Sequence, residues 1–167
     1  STMAYTVLFN PVIEVADLAA LRASTDFDRM YSVTGEVVLT SKDSYRNKKY
    51  IEDASAAIEI DDPDGAITTV LNIGDGVTGL TGELNEYFGM LQFVPSADPG
   101  AASTTGNAVE AQVVAVADFV ANHEDYESEF VKIEGVAFAD AGGTFADRTN
   151  YVVSVGGEST VLRTAFD

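Results

Sequence analysis

Four of the nine basic residues in this 167-residue chain, Lys42, Arg46, Lys48 and Lys49, fall within eight positions, with Tyr45 and Tyr50 interleaved. Cations of this kind hold phosphates or uronates, and tyrosine faces stack on bases or sugar rings. The stretch is therefore the candidate ligand contact, for a polysaccharide or a single-stranded nucleic acid. The alternative is a solvated hairpin whose cations offset the neighbouring Asp43, Glu52 and Asp53. Charge bears on the choice. Acidic residues number 27 against 9 basic ones, a net charge of −18. A polyanion is repelled over most of such a surface and would be confined to this one patch.

A second constellation is acidic. Asp61, Asp62, Asp64 and Asp75 offer hard oxygen ligands suited to calcium. The EF-hand register fails, because Ile60 stands where the first aspartate would be needed before Asp62 and Asp64. The reading preferred over calcium for these residues is a turn with solvated carboxylates, and the stretch from Asp140 to Asp147 around Gly142 and Gly143 is a loop of the same kind. His123 and Glu127 could share a helical face, yet two ligands are too few for zinc. The chain has no cysteine, which removes disulfides, thiol nucleophiles and cysteine-ligated metals. His123 is the only histidine, and no Gly-x-Ser-x-Gly or Gly-x-x-x-x-Gly-Lys string occurs. With 27 acids any glycosidase-like pair can be drawn, so none is specific. The expectation is a non-enzymatic chain without a cofactor, calcium being the candidate ion.

The scaffold that carries these residues can be read from periodicity. Residues 1–11 carry the alternating Tyr5-Thr6-Val7-Leu8-Phe9 and a stop at Asn10-Pro11, an arm or short strand. Residues 12–24 read as a helix with Leu18 and Leu21 on one face and Asp17 as its cap. From Tyr31 the period becomes two, with Val33, Gly35, Val37 and Leu39 on one face of a half-buried strand. Tyr50–Asp53, Ala57–Ile60, a glycine-rich strand over Gly74–Leu84 and Met90–Val94 complete five strands. Glycine within a β pattern permits the tight coiling of a small closed barrel. Residues 96–111, rich in Ser, Thr, Gly and Ala, read as a linker.

Beyond that linker the first pattern restarts. Val113–Phe119 matches Val12–Leu18, Val131–Gly135 matches Tyr31–Gly35, and Tyr151–Val153 matches Tyr50–Glu52, at offsets of 100 or 101. This is the mark of an internal duplication. The predicted fold is thus all-β with short helices: tandem five-stranded barrels over 12–95 and 112–167, the second incomplete. Nothing in the second copy matches Gly74 to Val94, and a partial barrel leaves strand edges unpaired. Chain beyond Asp167, or a donated strand, would fill the gap. Tyr5, Val7 and Phe9 have the alternation of such a donor, within the chain or from a neighbour.

The string Tyr50-Ile51-Glu52-Asp53-Ala54, then Gly74-Asp75, then Thr81-Gly82-Glu83-Leu84-Asn85-Glu86-Tyr87-Phe88-Gly89-Met90-Leu91-Gln92 resembles a known pattern. It is similar to the OB-fold modules of secreted bacterial proteins, among them large Bacteroidetes surface proteins and the module beside some extracellular nucleases. The resemblance covers residues 31–95 and, in the second copy, only the first three strands. It implies OB-like barrels and an extracellular or cell-surface setting, and it carries no catalytic residue. Tyr87 and Gln92 would be architectural, anchoring a hairpin. On this reading the Lys42–Tyr50 stretch lies where OB folds bind oligonucleotides and oligosaccharides.

The expected function is structural spacing and attachment to a ligand or to other domains and subunits of a surface protein. Two alternatives stand beside it: an accessory domain feeding nucleic acid or glycan to a hydrolase, and a subunit of a surface assembly joined by strand exchange. No apolar run approaches the roughly 18 residues of a membrane-spanning helix, so no membrane insertion is expected. Residues 1–5 do not read as a signal peptide, and a processed protein or a fragment looks the same.

Overall fold

The computed structural model describes residues 10–139 and 142–166. The chain is mostly β with two short α-helices. Eight strands form one curled, barrel-like sheet: β1 (Ile13–Val15), β2 (Met30–Val33), β3 (Val37–Lys42), β4 (Lys49–Glu52), β5 (Ala57–Ile60), β6 (Gly76–Val77), β7 (Leu80–Tyr87) and β8 (Met90–Pro95). Their order is β1-β2-β7-β8-β5-β4-β3-β6. The pairs β1–β2 and β5–β8 are parallel and the rest antiparallel.

The curl has a local cause. The expected strand through Gly35 is broken into β2 and β3, one pairing β7 and the other β4 and β6. Gly35 donates its N–H to the Ala16 carbonyl at 3.0 Å, and a side chain there would collide with that same oxygen. The bend therefore needs glycine at this one position. Val33, Val37 and Leu39 still face inward, with Tyr31, Ile51, Ile58, Ile60, Leu80, Leu84 and Phe93 in one core.

The leading segment differs from a single helix over 12–24. Ile13–Val15 is β1, and α1 spans only Leu18–Arg22. An aspartate that caps cannot also lie inside a helix, so the β-branched residues before Asp17 extend instead. Asp17 accepts the Ala20 N–H at 2.8 Å, as a cap should. Two more orphan N–H groups of α1 are met from far along the chain: Leu18 donates to Asp53 and Ala19 to Ser55. Asp53 also folds its own turn by accepting the N–H groups of Ser55 and Ala56. The Tyr-Ile-x-Asp-Ala string is thus the clamp that seats Leu18 and Leu21, both fully buried, on the core.

Residues 61–75 bring Ile67 and Leu71 to the same core. Gly74, at φ +88°, donates to the Leu39 carbonyl and Leu39 donates back to Asp75. β7 and β8 meet at Phe88-Gly89, both at positive φ, as a two-residue hairpin turn demands. The segment expected as a linker is docked. Thr104 bridges to Gly76, Asn107 donates to Gly74, and Thr68 and Thr69 donate to Asp98. It covers the β6 edge that the sheet order leaves open.

The later part repeats an order of pairings. β9 (Gln112–Val113) and β10 (Val131–Lys132) are parallel, separated by α2 (Val116–Ala121), as β1 and β2 are by α1. β11 (Ala137–Phe138), β12 (Asn150–Val155) and β13 (Glu158–Arg163) form an antiparallel sheet, in the manner of β3, β4 and β5. Asp118, which aligns with Asp17 by sequence, lies inside α2 and accepts from Tyr126 and Asn122, while Ala115 holds the cap position. Burial is thin here: among the described residues Val114, Val116 and Val153 are its buried apolar ones, and Val152, Val161 and Leu162 are exposed. Tyr5, Val7 and Phe9 lie outside the described residues. Among the described residues no helix is long and apolar enough to cross a membrane.

Candidate functional site

The hairpin between β3 and β4 carries the basic stretch and doubles back over the outer face of the sheet. Lys48 ends it, and Arg46 and Asn47 occupy the left-handed region at φ 57° and 50°. Strain of this kind in non-glycine residues persists only where surrounding contacts hold it. Here they do. Asn47 donates its side-chain amide to the Asp62 carbonyl, and Asp62 donates its N–H to the Arg46 carbonyl.

Under the hairpin runs a polar row that crosses four strands. Tyr50 pairs with Glu59, Glu59 with Gln92, and Gln92 with Asn85, each in register on adjacent strands. Side chains alternate along a strand, so Glu59 points away from the core that holds Ile58 and Ile60. It is nevertheless 1% exposed. Its carboxylate accepts from the Tyr50 hydroxyl at 2.7 Å and from the Gln92 amide, and pairs with Lys48 at 2.8 Å. Asn85 donates to Gln92 at the far end. Burial, and then the bond to Glu59, push the Tyr50 phenol above its ordinary range.

The structure thus assigns partners to each of the predicted ligand residues. Arg46 grips Asp61 with two nitrogens, its hydrogen bond raising the guanidinium pKa and lowering that of the carboxyl. Lys49 stands 3.6 Å from Asp62 and donates to the Asn47 carbonyl. Lys42 donates to the Leu71 carbonyl at 3.0 Å. Tyr45 remains 58% exposed, with Lys48 and Arg148 at 6.0 and 5.8 Å from its ring centre. The basic stretch is therefore neither a bare cationic patch nor the hairpin offset by Asp43, Glu52 and Asp53. Its counter-charges are largely Glu59, Asp61 and Asp62, from β5 and the loop after it.

A recess of about 190 Å³ opens where the hairpin meets the row. Asn85, Gln92 and Asp61 line it, with Arg46 and Lys48, and Tyr45 and Tyr87 bound it. Periodicity gives no hint of Glu59, Asn85, Tyr87 and Gln92 as site residues. In Ala-Ile-Glu-Ile, Glu59 reads as an ordinary solvent-facing position. Only its pairing with Gln92 across a parallel contact reveals the row.

The proposed calcium ligands are directed elsewhere. Asp61 faces Arg46, Asp62 accepts the N–H groups of Ala66 and Ile67, Asp75 accepts that of Asn72, and Asp64 is exposed. Among the described residues no group of three or more His, Asp or Glu is placed to hold a metal ion. His123 pairs with Glu124 at the surface, while Glu127 turns to Arg22 and the Leu91 N–H. Asp147 accepts the Phe166 N–H, and Asp140 lies outside the described residues. No protein-family model, curated protein or solved structure matches the chain.

Proposed function

We propose that this chain is a non-catalytic, OB-like module of a secreted or cell-surface bacterial protein, serving as a spacer and as an attachment point for a ligand or partner. Two features support the OB-like reading. The β2–β3 strand, bent at Gly35, reaches both β7 and β4. The β6–β7 strand runs alongside it, with Val33 opposite Leu80 and Val37 opposite Val77. Counted so, five strands wind into the partly open Greek-key barrel of that fold. The recurrence of the β1-α1-β2-β3-β4-β5 pairings in β9 to β13 supports a second, incomplete copy.

The observation that carries the attachment reading is the state of the charges in the recess. Asp61 is held ionised by Arg46, well below the range in which a carboxyl exchanges protons near neutrality. Glu59 is committed to three donors. Groups paired in this way are placed to hold and orient a bound molecule. The test is to pass the chain over immobilised polysaccharides, single-stranded DNA and surface-protein fragments, and to assay the same materials for released ends. Retention without turnover is expected, and release of products would overturn the reading.

A second reading, assembly by strand exchange, is favoured by one feature. β13 pairs only with β12 among the described residues, and it exposes Val161 and Leu162. Light scattering on the chain with and without residues 1–9 decides it, since a monomer in both cases refutes donation of Tyr5, Val7 and Phe9 to a neighbouring copy.

A further inference from the structure

We propose that the recess bounded by Tyr45 and Tyr87 binds one ring of a neutral, polyhydroxylated ligand, a sugar unit of an uncharged glycan. This rests on the attachment reading and narrows it to a ligand class.

Charge excludes the polyanions that the basic stretch first suggests. Lys42, Arg46, Lys48 and Lys49 stand among Asp43, Glu59, Asp61 and Asp62, so the local charges cancel in number. The chain around them carries −18. A phosphate or uronate entering the recess would meet the Asp61 carboxylate without an unpaired cation to compensate it.

Hydrogen-bonding chemistry points the same way. Phosphate and carboxylate oxygens only accept, whereas a sugar hydroxyl both donates and accepts. The recess offers both kinds: the Asn85 amide, which donates and accepts, and the guanidinium hydrogens of Arg46 beyond those that hold Asp61. The floor is fixed in advance, because Gln92 is 3% exposed and tied to Glu59 and Asn85. Preorganisation of that sort reduces the ordering penalty of binding.

Size and walls complete the case. At about 190 Å³ the space falls below the roughly 300 Å³ of pockets for drug-sized ligands, so it takes a single ring. Tyr45 and Tyr87, each 58% exposed, offer apolar faces with a polar tip at its mouth.

The experiment is calorimetric titration of the full chain with three probe sets of two to six units. These are neutral glucan, mannan, galactan and xylan fragments, oligouronates, and oligo-dT. At least one neutral fragment is expected to bind, with affinity changing less than about twofold between roughly 50 and 200 mM salt, a range over which polyanion binding collapses. Tyr45→Ala and Tyr87→Ala should each weaken it roughly tenfold, the loss of one stacked ring. Val70→Ser, exposed and outside the recess, should leave it unchanged. Binding of only oligo-dT or oligouronate, or of no neutral fragment, overturns the assignment and leaves attachment to its own test. Cleavage of a bound fragment overturns the attachment reading instead.

Discussion

Replacing Glu59 by glutamine keeps the shape of the side chain, removes its charge, and so probes whether the polar row acts as one unit. The carboxylate receives Lys48 at 2.8 Å, the Tyr50 hydroxyl at 2.7 Å and the Gln92 amide, at a site that is 1% exposed. Hydrogen bonds to a charged group are worth about 1.5–3 kcal/mol each. Breaking a buried ion pair from one side costs about 3–5 kcal/mol, because the other charge is stranded. Glu59→Gln should therefore destabilise by about 3–5 kcal/mol. At about 2–4 °C per kcal/mol for a chain of this length, Tm falls by roughly 6–20 °C. Lys48→Met alone should cost less, since Tyr50 and Gln92 still serve the carboxylate and Lys48 retains 18% of its side-chain exposure. The double variant should recover part of the loss, with a coupling of about 0.5–3 kcal/mol. Urea unfolding monitored by far-ultraviolet circular dichroism measures all four proteins; tyrosine fluorescence is a second probe in a chain without tryptophan. Glu59→Gln within about 0.5 kcal/mol of the parent, or a coupling of zero, would refute the claim that this row is a cooperative unit.

Three further outcomes rest on particular contacts. Asp61 has its pKa lowered by Arg46, so its share of stability is present above the ordinary value of 3.8 and is lost as pH falls. The Tm gap between parent and Asp61→Asn should narrow from about pH 6 to about pH 2, and a constant gap would contradict the pairing. Glu52 accepts the Phe130 N–H but has its pKa raised by burial, which reverses the sign: stability is fullest below 4.5 and is lost as pH rises through the folded value. Glu52→Gln should gain on the parent between about pH 4 and pH 8, and a gain on acidification would refute the burial argument. Gly82→Ala places a methyl against the Val94 carbonyl and the Phe93 ring, whereas Gly79→Ala meets open space but a φ of +70°. The first should cost more than about 3 kcal/mol and the second about 1–2, by the same unfolding assay. Equal losses would mean that the Val94 carbonyl and Phe93 ring give way to the added methyl, refuting the steric argument at Gly82.

Much of the architecture is legible from residues near one another in the chain. The two-residue period from Tyr31 and the Asp17 cap with Leu18 and Leu21 record local geometry, and the structure places each. The Asp53 turn is visible as a turn, but its service to α1 is not, because 35 residues separate Leu18 from Asp53. The break at Gly35 is hidden for a similar reason: its cause is the Ala16 carbonyl, from the segment that leads into α1. Spacing alone picks out the basic stretch and misleads about its meaning, since a row of cations says nothing about which carboxylates fold beneath it.

Periodicity, turn residues and glycine positions are enough to dictate strands, hairpins and a curled sheet, because those preferences act over a few residues of backbone. Whether Lys48 faces solvent or Glu59, and whether Arg46 is free for an anion or committed to Asp61, depends on how the hairpin folds onto β5, and the row beneath it is completed by a parallel contact between β5 and β8. That pairing joins segments more than thirty residues apart, and burial then decides which charges cancel and which surface is left to meet a ligand.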